Sequence, residues 1–493
     1  MERTFSRRWR ALGACALLIA ACASSDLDLD ERSGATSTTP PPSESTVSPS
    51  ETAGTPQGAM GADGVGDPYY PGLGNGGYDV ATYDLDIEWM PDTGTVDATA
   101  AIVLVPTEDL DTFNLDLEGL DVERVVVDGE EVVHAHAGRE LTIDPAALLV
   151  AGDDVEVVVD YGGEPTPIRV GTDVFRVGWH TDGRDAYVVS EPAGAASWFP
   201  ANDHPTDKAR FRFVVTVPSD LGVIANGLQT SMSDTGDGRT TFVYEASDLM
   251  ATYLASVVIG DLVFVEESTA SGLLLRSAYP RRLADAAATD FADTAAMVEV
   301  FERSFGPYPF ETYGHVVADE VLGFALENQT LSIFGSDLVT GRGAIDAIVA
   351  HELAHQWFGN AVSPATWMDI WLNEGFATYA EWVWAAGSDG PTIAESAAAV
   401  HARADFGVPP GDPGPEELFQ ATVYLRGGLV LYALSQEIGH DAFDRLLPLW
   451  VERFGGSAAS TADLRALAEE LSGQDLEAFF DAWVYGATLP PLP

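Results

Sequence analysis

The segment HELAHQWFGN, at residues 351–360, places two histidines and a glutamate where they could share one metal ion. His351 and His355 are four residues apart, so on a helix their imidazoles lie on one face, one turn apart. Glu352 follows the first histidine and is suited to take a proton from water beside the metal. Glu374 begins another apolar segment, where a carboxylate without a partner would be costly. The spacing therefore predicts metal-assisted hydrolysis, with the two histidines and Glu374 as ligands and Glu352 as the base.

One metal ion is expected, and zinc suits these residue types best. Two imidazoles and one carboxylate with an open position match the tetrahedral catalytic sites of zinc enzymes, although the residue types do not fix the element. The alternative is that the two histidines are structural. A chance His-Glu-x-x-His motif is rare in a chain with nine histidines, and the downstream glutamate favours the metal site.

These side chains must be positioned by the second half of the chain, whose apolar residues recur at helical spacing. This spacing predicts helices over residues 283–305, 343–358, 371–384, 392–404, 423–438, 442–454 and 461–471. The first half shows alternating or β-branched runs, which predict strands over residues 78–90, 95–106, 122–133, 155–161, 211–218 and 240–244. The expected fold class is α+β, with an antiparallel β domain followed by a mainly α domain.

The first 22 residues are predicted to be an export signal. Arginines precede an apolar run that is too short to span a bilayer, and the run ends in the segment IAAC, which resembles the bacterial lipoprotein cleavage box. Cys22 would then be the lipidated N-terminus, and the alternative is a plain secretory signal in which Cys22 is incidental. Both imply export. Lipidation would anchor the protein to the membrane of a bacterial cell envelope, with its folded part outside the cytoplasm.

The remaining chain is predicted to contain a tether and two domains. Residues 23–76 are rich in Ser, Thr, Pro and Gly, which predicts a disordered tether. The β domain is expected at residues 77–266 and the catalytic domain at residues 267–493. The two cysteines are Cys15 and Cys22, so the mature chain can form no internal disulfide.

The charge balance argues against a nucleic-acid partner. The chain has 77 acidic and 24 basic residues, and its net charge of -53 repels phosphate backbones and anionic lipid. Lys208 is the only lysine. A solvated acidic surface explains this balance, and adaptation to high salt is an alternative hypothesis. The oligomeric state is left open.

The zinc segment and its surroundings resemble a known family. HELAHQWFGN and the later TWMDIWLNEGFATYAEW are similar to the signature of the gluzincin aminopeptidases, the family of aminopeptidase N and the leukotriene hydrolase. The segments SWFPANDHPTDKARF, FGPYPF and FFDAWVYG extend the likeness over nearly all residues from about 78 onwards. The resemblance implies a β-sandwich or saddle-like N-terminal domain, a thermolysin-like catalytic domain and one zinc ion. The chain ends soon after FFDAWVYG, so we expect a short form without a helical-repeat domain, open to longer peptides.

The resemblance also implies which residues bind the substrate's amino group. The segment ALEN, at residues 325–328, is similar to the family's Gly-Ala-Met-Glu-Asn strand, which implies that Glu327 binds the free amine of the substrate. Glu191, in VVSEPAG, would supply a second contact to the amine. The sequence departs from the family pattern at Phe324 and Leu326, and both changes alter the pocket for the first residue.

Two further roles follow from the resemblance. Tyr424, in VYLRGGLVLYAL, would stabilise the oxyanion, although Arg426 stands where the family usually has lysine. Glu381, seven residues after Glu374, would orient a ligand histidine through a hydrogen bond, and a solvated helix charge is the alternative.

The expected function is that of a zinc-dependent aminopeptidase, which releases N-terminal amino acids from peptides or small aminoacyl compounds. One alternative is a catalytically inactive, aminopeptidase-like binding protein, against which the complete set of ligands and base argues. Another is a zinc endopeptidase, against which the ALEN segment argues.

Overall fold

The computed structural model describes residues 58–170, 176–403 and 406–493. The predicted signal peptide, Cys22 and the tether up to residue 57 lie outside these ranges. Over the described ranges, we find no helix with the length and apolar character needed to cross a membrane.

The N-terminal domain is built from strands, numbered here in chain order. They are β1 (Ala59–Met60), β2 (Tyr78–Met90), β3 (Thr95–Pro106), β4 (Leu110–Asp116), β5 (Asp121–Val127), β6 (Glu130–Glu131), β7 (Val133–Ala137), β8 (Glu140–Asp144), β9 (Val155–Gly163), β10 (Gly178–Thr181), β11 (Ala186–Val189), β12 (Lys208–Pro218), β13 (Gly222–Ala225), β14 (Leu228–Asp234), β15 (Arg239–Ala251) and β16 (Val257–Gly260). Two short 3-10 helices cover Ala195–Ser197 and Thr252–Leu254.

These strands form three sheets. The largest has the order β14-β15-β12-β2-β3-β9-β5-β6, and the two smaller ones are β1-β4-β8-β7 and β10-β11-β16-β13. Neighbours are antiparallel except for the parallel pairs β12–β2 and β1–β4. Alternation explains the large sheet, because every second side chain faces the core. In β3 the buried apolar residues are Val96, Ala98, Ala100, Ile102 and Leu104.

The second domain starts with a sheet and continues with helices. Its strands are β17 (Leu262–Ser268), β18 (Leu274–Pro280), β19 (Thr312–Tyr313), β20 (His315–Ala318), β21 (Ala325–Leu326), β22 (Ser332–Gly335), β23 (Val362–Pro364) and β24 (Ser457–Ala459). Its helices are α1 (Ala284–Asp290), α2 (Thr294–Phe305), α3 (Asp346–Ala354), α4 (Trp371–Gly387), α5 (Ile393–His401), α6 (Gly427–Glu437), α7 (His440–Phe454), α8 (Thr461–Ser472) and α9 (Glu477–Trp483). A 3-10 helix covers Trp367–Asp369, and a π-helix covers Thr422–Arg426.

The predicted α+β architecture is confirmed, but two details of the second domain differ. The sheet β17-β18-β20-β22-β21, with β19 beside β18, was not predicted. Strands such as β20 and β22 are four residues long and buried throughout, so they lack the alternation that marks a strand in sequence. The predicted helix at 283–305 is two helices, because the chain turns between Asp290 and Thr294.

The predicted tether is too long at its C-terminal end. Residues 58–76 are part of the fold, since β1 pairs with β4 and the buried Asp67 carboxylate accepts a hydrogen bond from the Trp367 amide at 2.8 Å. Leu73 is buried in the core, and Tyr69 and Tyr70 pack against it. These few apolar residues and polar bonds such as that of Asp67 hold a segment whose Gly-rich composition misled the prediction. The predicted domain boundary at residue 266 falls inside β17, which belongs to the sheet of the second domain.

Candidate active site

Helix α3 and the turn after it place the two histidines side by side. Both imidazoles are buried, and their ring centroids are 4.7 Å apart. His351 Nδ1 lies 2.9 Å from Glu381 Oε1, and His355 Nδ1 lies 3.0 Å from the Phe358 carbonyl oxygen. Each Nδ1 therefore has an acceptor for its N–H, so each Nε2 keeps a lone pair that can bind a metal.

Helix α4 brings the third donor to the same point. Glu374 Oε2 lies 3.1 Å from His351 Nε2 and 3.5 Å from His355 Nε2. One ligand atom from each of the three residues lies within 4.8 Å of the others. Two imidazole nitrogens and a carboxylate oxygen that converge in this way fit a zinc ion, and these three residues would hold it.

Close packing between helices fixes the position of Glu374. Gly375 follows it on α4 and touches Gly427 at the start of α6, where a Cβ on Gly375 would lie 2.8 Å from the Gly427 backbone. Glycine is required at this contact because any side chain would force the two helices apart. The ring of Phe376, the residue after Gly375, stacks on that of Phe358 at 4.3 Å and joins α4 to the turn after α3.

Tyr424 lies in the π-helix that precedes α6, and its ring stacks against the imidazole of His351 at 5.8 Å. Such π-helical turns occur often at functional sites. The neighbouring Arg426 is fully buried, and it donates to the carbonyl oxygens of Trp483 at 3.0 Å and Gly486 at 2.7 Å. Arginine at this position thus ties the tyrosine segment to the end of α9.

Further carboxylates surround the three metal-binding side chains. Glu352, on α3, has an oxygen within 4.8 Å of ligand atoms of both His355 and Glu327. Glu191, which follows β11 of the N-terminal domain, forms a similar group with Glu327 and Glu374. Among the described residues, the Oε1 atoms of Glu191 and Glu327 are buried without a hydrogen-bond donor. Two such acceptors facing one space are what a ligand ammonium would satisfy.

Comparisons with known proteins agree with this geometry. A model of the peptidase family M1 domain matches residues 290–483, and a model of the peptidase M1 N-terminal domain matches residues 80–254. The crystal structure of an M1 zinc metallopeptidase mutant from Deinococcus radiodurans, bound to the substrate Tyr-Ser-Ala, is 33% identical with a TM-score of 0.81. The alignment covers 87% of this chain and 99% of that one.

This chain belongs to peptidase family M1. The resemblance to the gluzincin aminopeptidases is thereby confirmed, and zinc is the cofactor that the family and the donor set indicate.

Longer M1 relatives are more distant. Aminopeptidase 2 of Candida albicans is 26% identical over 83% of this chain and 47% of its own length. Aminopeptidase M1 of Arabidopsis thaliana is 29% identical over 59% of this chain and 36% of its own length. The chain thus spans less than half the length of each of these two relatives.

The carboxylates of this M1 site have unequal proton affinities. Burial raises the pKa of Glu352 to about 8, although the adjacent histidines act in the opposite direction. Burial, with Glu327 adding repulsion, raises the pKa of Glu191 well above its usual range. Burial would also raise the pKa of Glu374, but His355 and hydrogen bonds from both histidines lower it to about 2. Of these three carboxylates, Glu374 gives up its proton most readily, which suits a metal ligand.

The two departures from the M1 pattern lie at the edge of the sheet. Leu326 is in the edge strand β21, which pairs only with β22 within the described sheet, and it is half-buried. Phe324 immediately precedes this strand and is also half-buried. Leu326 directly precedes Glu327 in the chain, and Phe324 lies three residues before it.

Sequence reasoning missed three residues that hold Glu327. The Glu327 carbonyl accepts hydrogen bonds from the side-chain amides of Asn360, at 2.7 Å, and Gln356, at 3.0 Å. Asn360 is followed by Ala361, and Lys208 of β12 contacts the carbonyl oxygens of both. The sequence did contain a sign of these contacts. Polar side chains within an apolar motif, and a single lysine in a long chain, both suggest a hydrogen-bond partner elsewhere in the fold.

Proposed function

We propose that this protein is a zinc-dependent aminopeptidase that releases N-terminal amino acids from peptides. The observation that carries this proposal is the position of two buried carboxylates, those of Glu191 and Glu327, beside a complete zinc-binding set; the Oε1 atom of each has no hydrogen-bond donor among the described residues. A peptidase that cleaves within chains needs no such pair, because the residue before its cleavage site carries no ammonium group.

Each of the site residues has a separate role in the proposed hydrolysis. The substrate ammonium binds Glu327 and Glu191, which sets the distance from the first carbonyl carbon to the metal ligands. Zinc, when bound, polarises that carbonyl and lowers the pKa of the attacking water. Glu352 accepts the proton from the attacking water and passes it to the leaving nitrogen. The Tyr424 hydroxyl donates a hydrogen bond to the developing oxyanion.

Peptides with a bulky first residue are the proposed substrates. The related structures from the same family are described as bound to Tyr-Ser-Ala, to L-tryptophan and to L-arginine. In this chain, the apolar, half-buried residues Phe324 and Leu326 lie close in sequence to Glu327, and we infer that they contact the first side chain of the substrate. A panel of aminoacyl fluorogenic substrates should therefore give higher kcat/KM for aromatic and long side chains than for glycine.

Blocking the substrate amine tests the proposal directly. An N-acetylated peptide should not be cleaved, because it carries no ammonium to pair with Glu327 and Glu191. Hydrolysis of the blocked and free peptides at similar rates would refute the exopeptidase assignment and favour an endopeptidase.

A substitution of Glu352 distinguishes an enzyme from a binding protein. Glu352→Ala should retain zinc but lose about 10²- to 10⁴-fold in kcat, because it removes the base and leaves the three ligands in place. A wild-type protein that binds zinc and peptide without turnover would instead support the inactive, binding-protein alternative.

We also propose that the protein is exported and anchored through a lipid on Cys22. The support is the basic start of the chain, the short apolar run and the cysteine that ends it, followed by a stretch rich in Ser, Thr and Pro. Mass spectrometry of the protein expressed in a bacterium should detect a diacylglyceryl group on Cys22. In Cys22→Ser the protein should move from the membrane to the soluble fraction, and unchanged fractionation would refute the anchor.

A further inference from the structure

Lys208 crosses from the N-terminal domain into the loop that follows the zinc helix. Its Nζ atom donates hydrogen bonds to the carbonyl oxygens of Asn360 at 2.8 Å and Ala361 at 3.0 Å. The side chain is buried, and it is the only lysine in a chain with 24 basic residues. A compact head with several donors suits two converging carbonyl oxygens, whereas the larger planar guanidinium of arginine needs more room.

The loop held by Lys208 is hydrogen-bonded to the backbone of Glu327, the residue whose carboxylate is proposed to bind the amine. Asn360 uses its side-chain amide to bind the Glu327 carbonyl oxygen at 2.7 Å. A continuous path of hydrogen bonds therefore runs from Lys208 through Asn360 to Glu327. Burial lowers the pKa of Lys208 to about 7, and both the ammonium and the neutral amine have at least two N–H groups for the two carbonyls.

Docking of the two domains does not depend on this path. Asn226 donates to the Gln329 carbonyl at 2.7 Å, and the Gly227 amide donates to Thr330 Oγ1 at 2.8 Å. These bonds also join the N-terminal domain to the segment after Glu327. What Lys208 adds is a hold on the Asn360 backbone, from which the amide of that residue reaches Glu327.

We propose that Lys208 is a positioning residue for substrate recognition, which acts through Asn360 to hold Glu327 where the substrate ammonium binds. This inference rests on the proposed aminopeptidase function. It differs from a purely structural role, because a structural clamp would affect stability without a specific effect on substrate binding.

A double-mutant cycle tests the path in the full-length protein with a saturating zinc supply. Lys208→Met should raise KM for an aminoacyl substrate by about 10-fold and lower kcat by less than about 3-fold, since the base and metal ligands stay in place. Asn360→Ala should raise KM to a similar extent. The double variant should have the KM of Asn360→Ala alone, because both changes break one path.

Arg276→Met is the matched control. Arg276 is another buried cation that joins the domains, and it donates to the Ala225 carbonyl at 2.6 Å, outside the path to Glu327. Its loss should lower the melting temperature but leave KM within about twofold of the wild type.

The outcomes separate this inference from the proposed function. Two results would overturn the role of Lys208 but leave the aminopeptidase assignment intact. One is a KM of Lys208→Met within twofold of the wild type. The other is a double variant whose increase in KM equals the product of the increases in the two single variants. A zinc-loaded wild type that cleaves no free-amine substrate would overturn both proposals. If Lys208→Met does not fold, Lys208→Arg replaces it in the cycle, and an unchanged KM for that variant would overturn the inference equally.

Discussion

The hydrogen bond between Glu381 and His351 should contribute measurably to zinc affinity. Glu381 Oε1 accepts from His351 Nδ1 at 2.9 Å, and the two side chains are only 18% and 11% exposed. A hydrogen bond to a charged group contributes about 1.5–3 kcal/mol when it is shielded from water. Because about 1.4 kcal/mol corresponds to a factor of ten, Glu381→Ala should weaken zinc binding by about 10- to 100-fold.

His355 provides an internal comparison. Its Nδ1 is held by the backbone carbonyl of Phe358, which no side-chain substitution removes. Glu381→Ala should therefore loosen one ligand of the three and leave the others in place. At saturating zinc, the variant should retain kcat within about threefold of the wild type, because Glu352 and the remaining ligands are unchanged.

Competition with a chromophoric chelator gives the zinc dissociation constant of each variant. Glu381→Gln keeps an oxygen that can accept the N–H, so its affinity should lie between those of the wild type and Glu381→Ala. Glu452→Gln changes an exposed glutamate on α7 and is the control for lost charge alone. A dissociation constant for Glu381→Ala within twofold of the wild type would show that the hydrogen bond does not orient the ligand.

Three further predictions concern stability. Asp290→Asn should lower the free energy of unfolding, measured in urea, by about 2–4 kcal/mol. The buried Asp290 carboxylate accepts hydrogen bonds at 2.6–2.7 Å from three backbone N–H groups of the loop before α3. A loss below about 1 kcal/mol would contradict this. Asp67→Ala should lower the free energy of unfolding by about 1–3 kcal/mol, because it leaves the buried Trp367 amide unpaired. Unchanged stability would indicate that residues 58–76 belong to the tether and not to the fold. The stability of the wild type relative to Lys208→Met should rise by about 1.4 kcal/mol per pH unit between pH 7 and pH 10.5. Burial lowers the folded pKa of Lys208 to about 7 from 10.5, so within this window only the unfolded lysine stays protonated. Parallel stability curves for these two proteins would refute that pKa.

The metal-binding residues could be predicted because local periodicity determines their geometry. Two residues four apart on a helix face one way, and a carboxylate in an apolar helix needs a partner, so His351, His355 and Glu374 follow from sequence alone. Glu191 and Glu327 could not be derived in this way. Their meeting depends on how the N-terminal domain docks on the edge of the second sheet, and only the family resemblance pointed to them.

Polar residues caused the remaining errors. Residues 58–76 are held by the carboxylate of Asp67 and similar groups, which an apolar count does not detect. Lys208 and Asn360 lie in different domains and are connected through a backbone carbonyl, so no pattern of residue types or spacing in the sequence indicates their contact. Tertiary hydrogen bonds of this kind become visible only when both domains are in place.

The charge balance of the site explains why the substrate amine should matter so much. Glu191, Glu327, Glu352 and Glu374 bring four carboxylates into one buried region. A divalent zinc ion and a substrate ammonium supply three positive charges against these four carboxylates, and Glu352 stays ionised as the base that accepts the proton from water. An acetylated substrate would bury the same carboxylates with one positive charge fewer, which costs more than a lost hydrogen bond. We therefore expect Glu327→Gln to reduce discrimination against the acetylated peptide, since it removes the charge that the missing ammonium would have balanced. Peptide competition assays with both substrates would measure this ratio, and equal discrimination in the variant and the wild type would refute the charge argument.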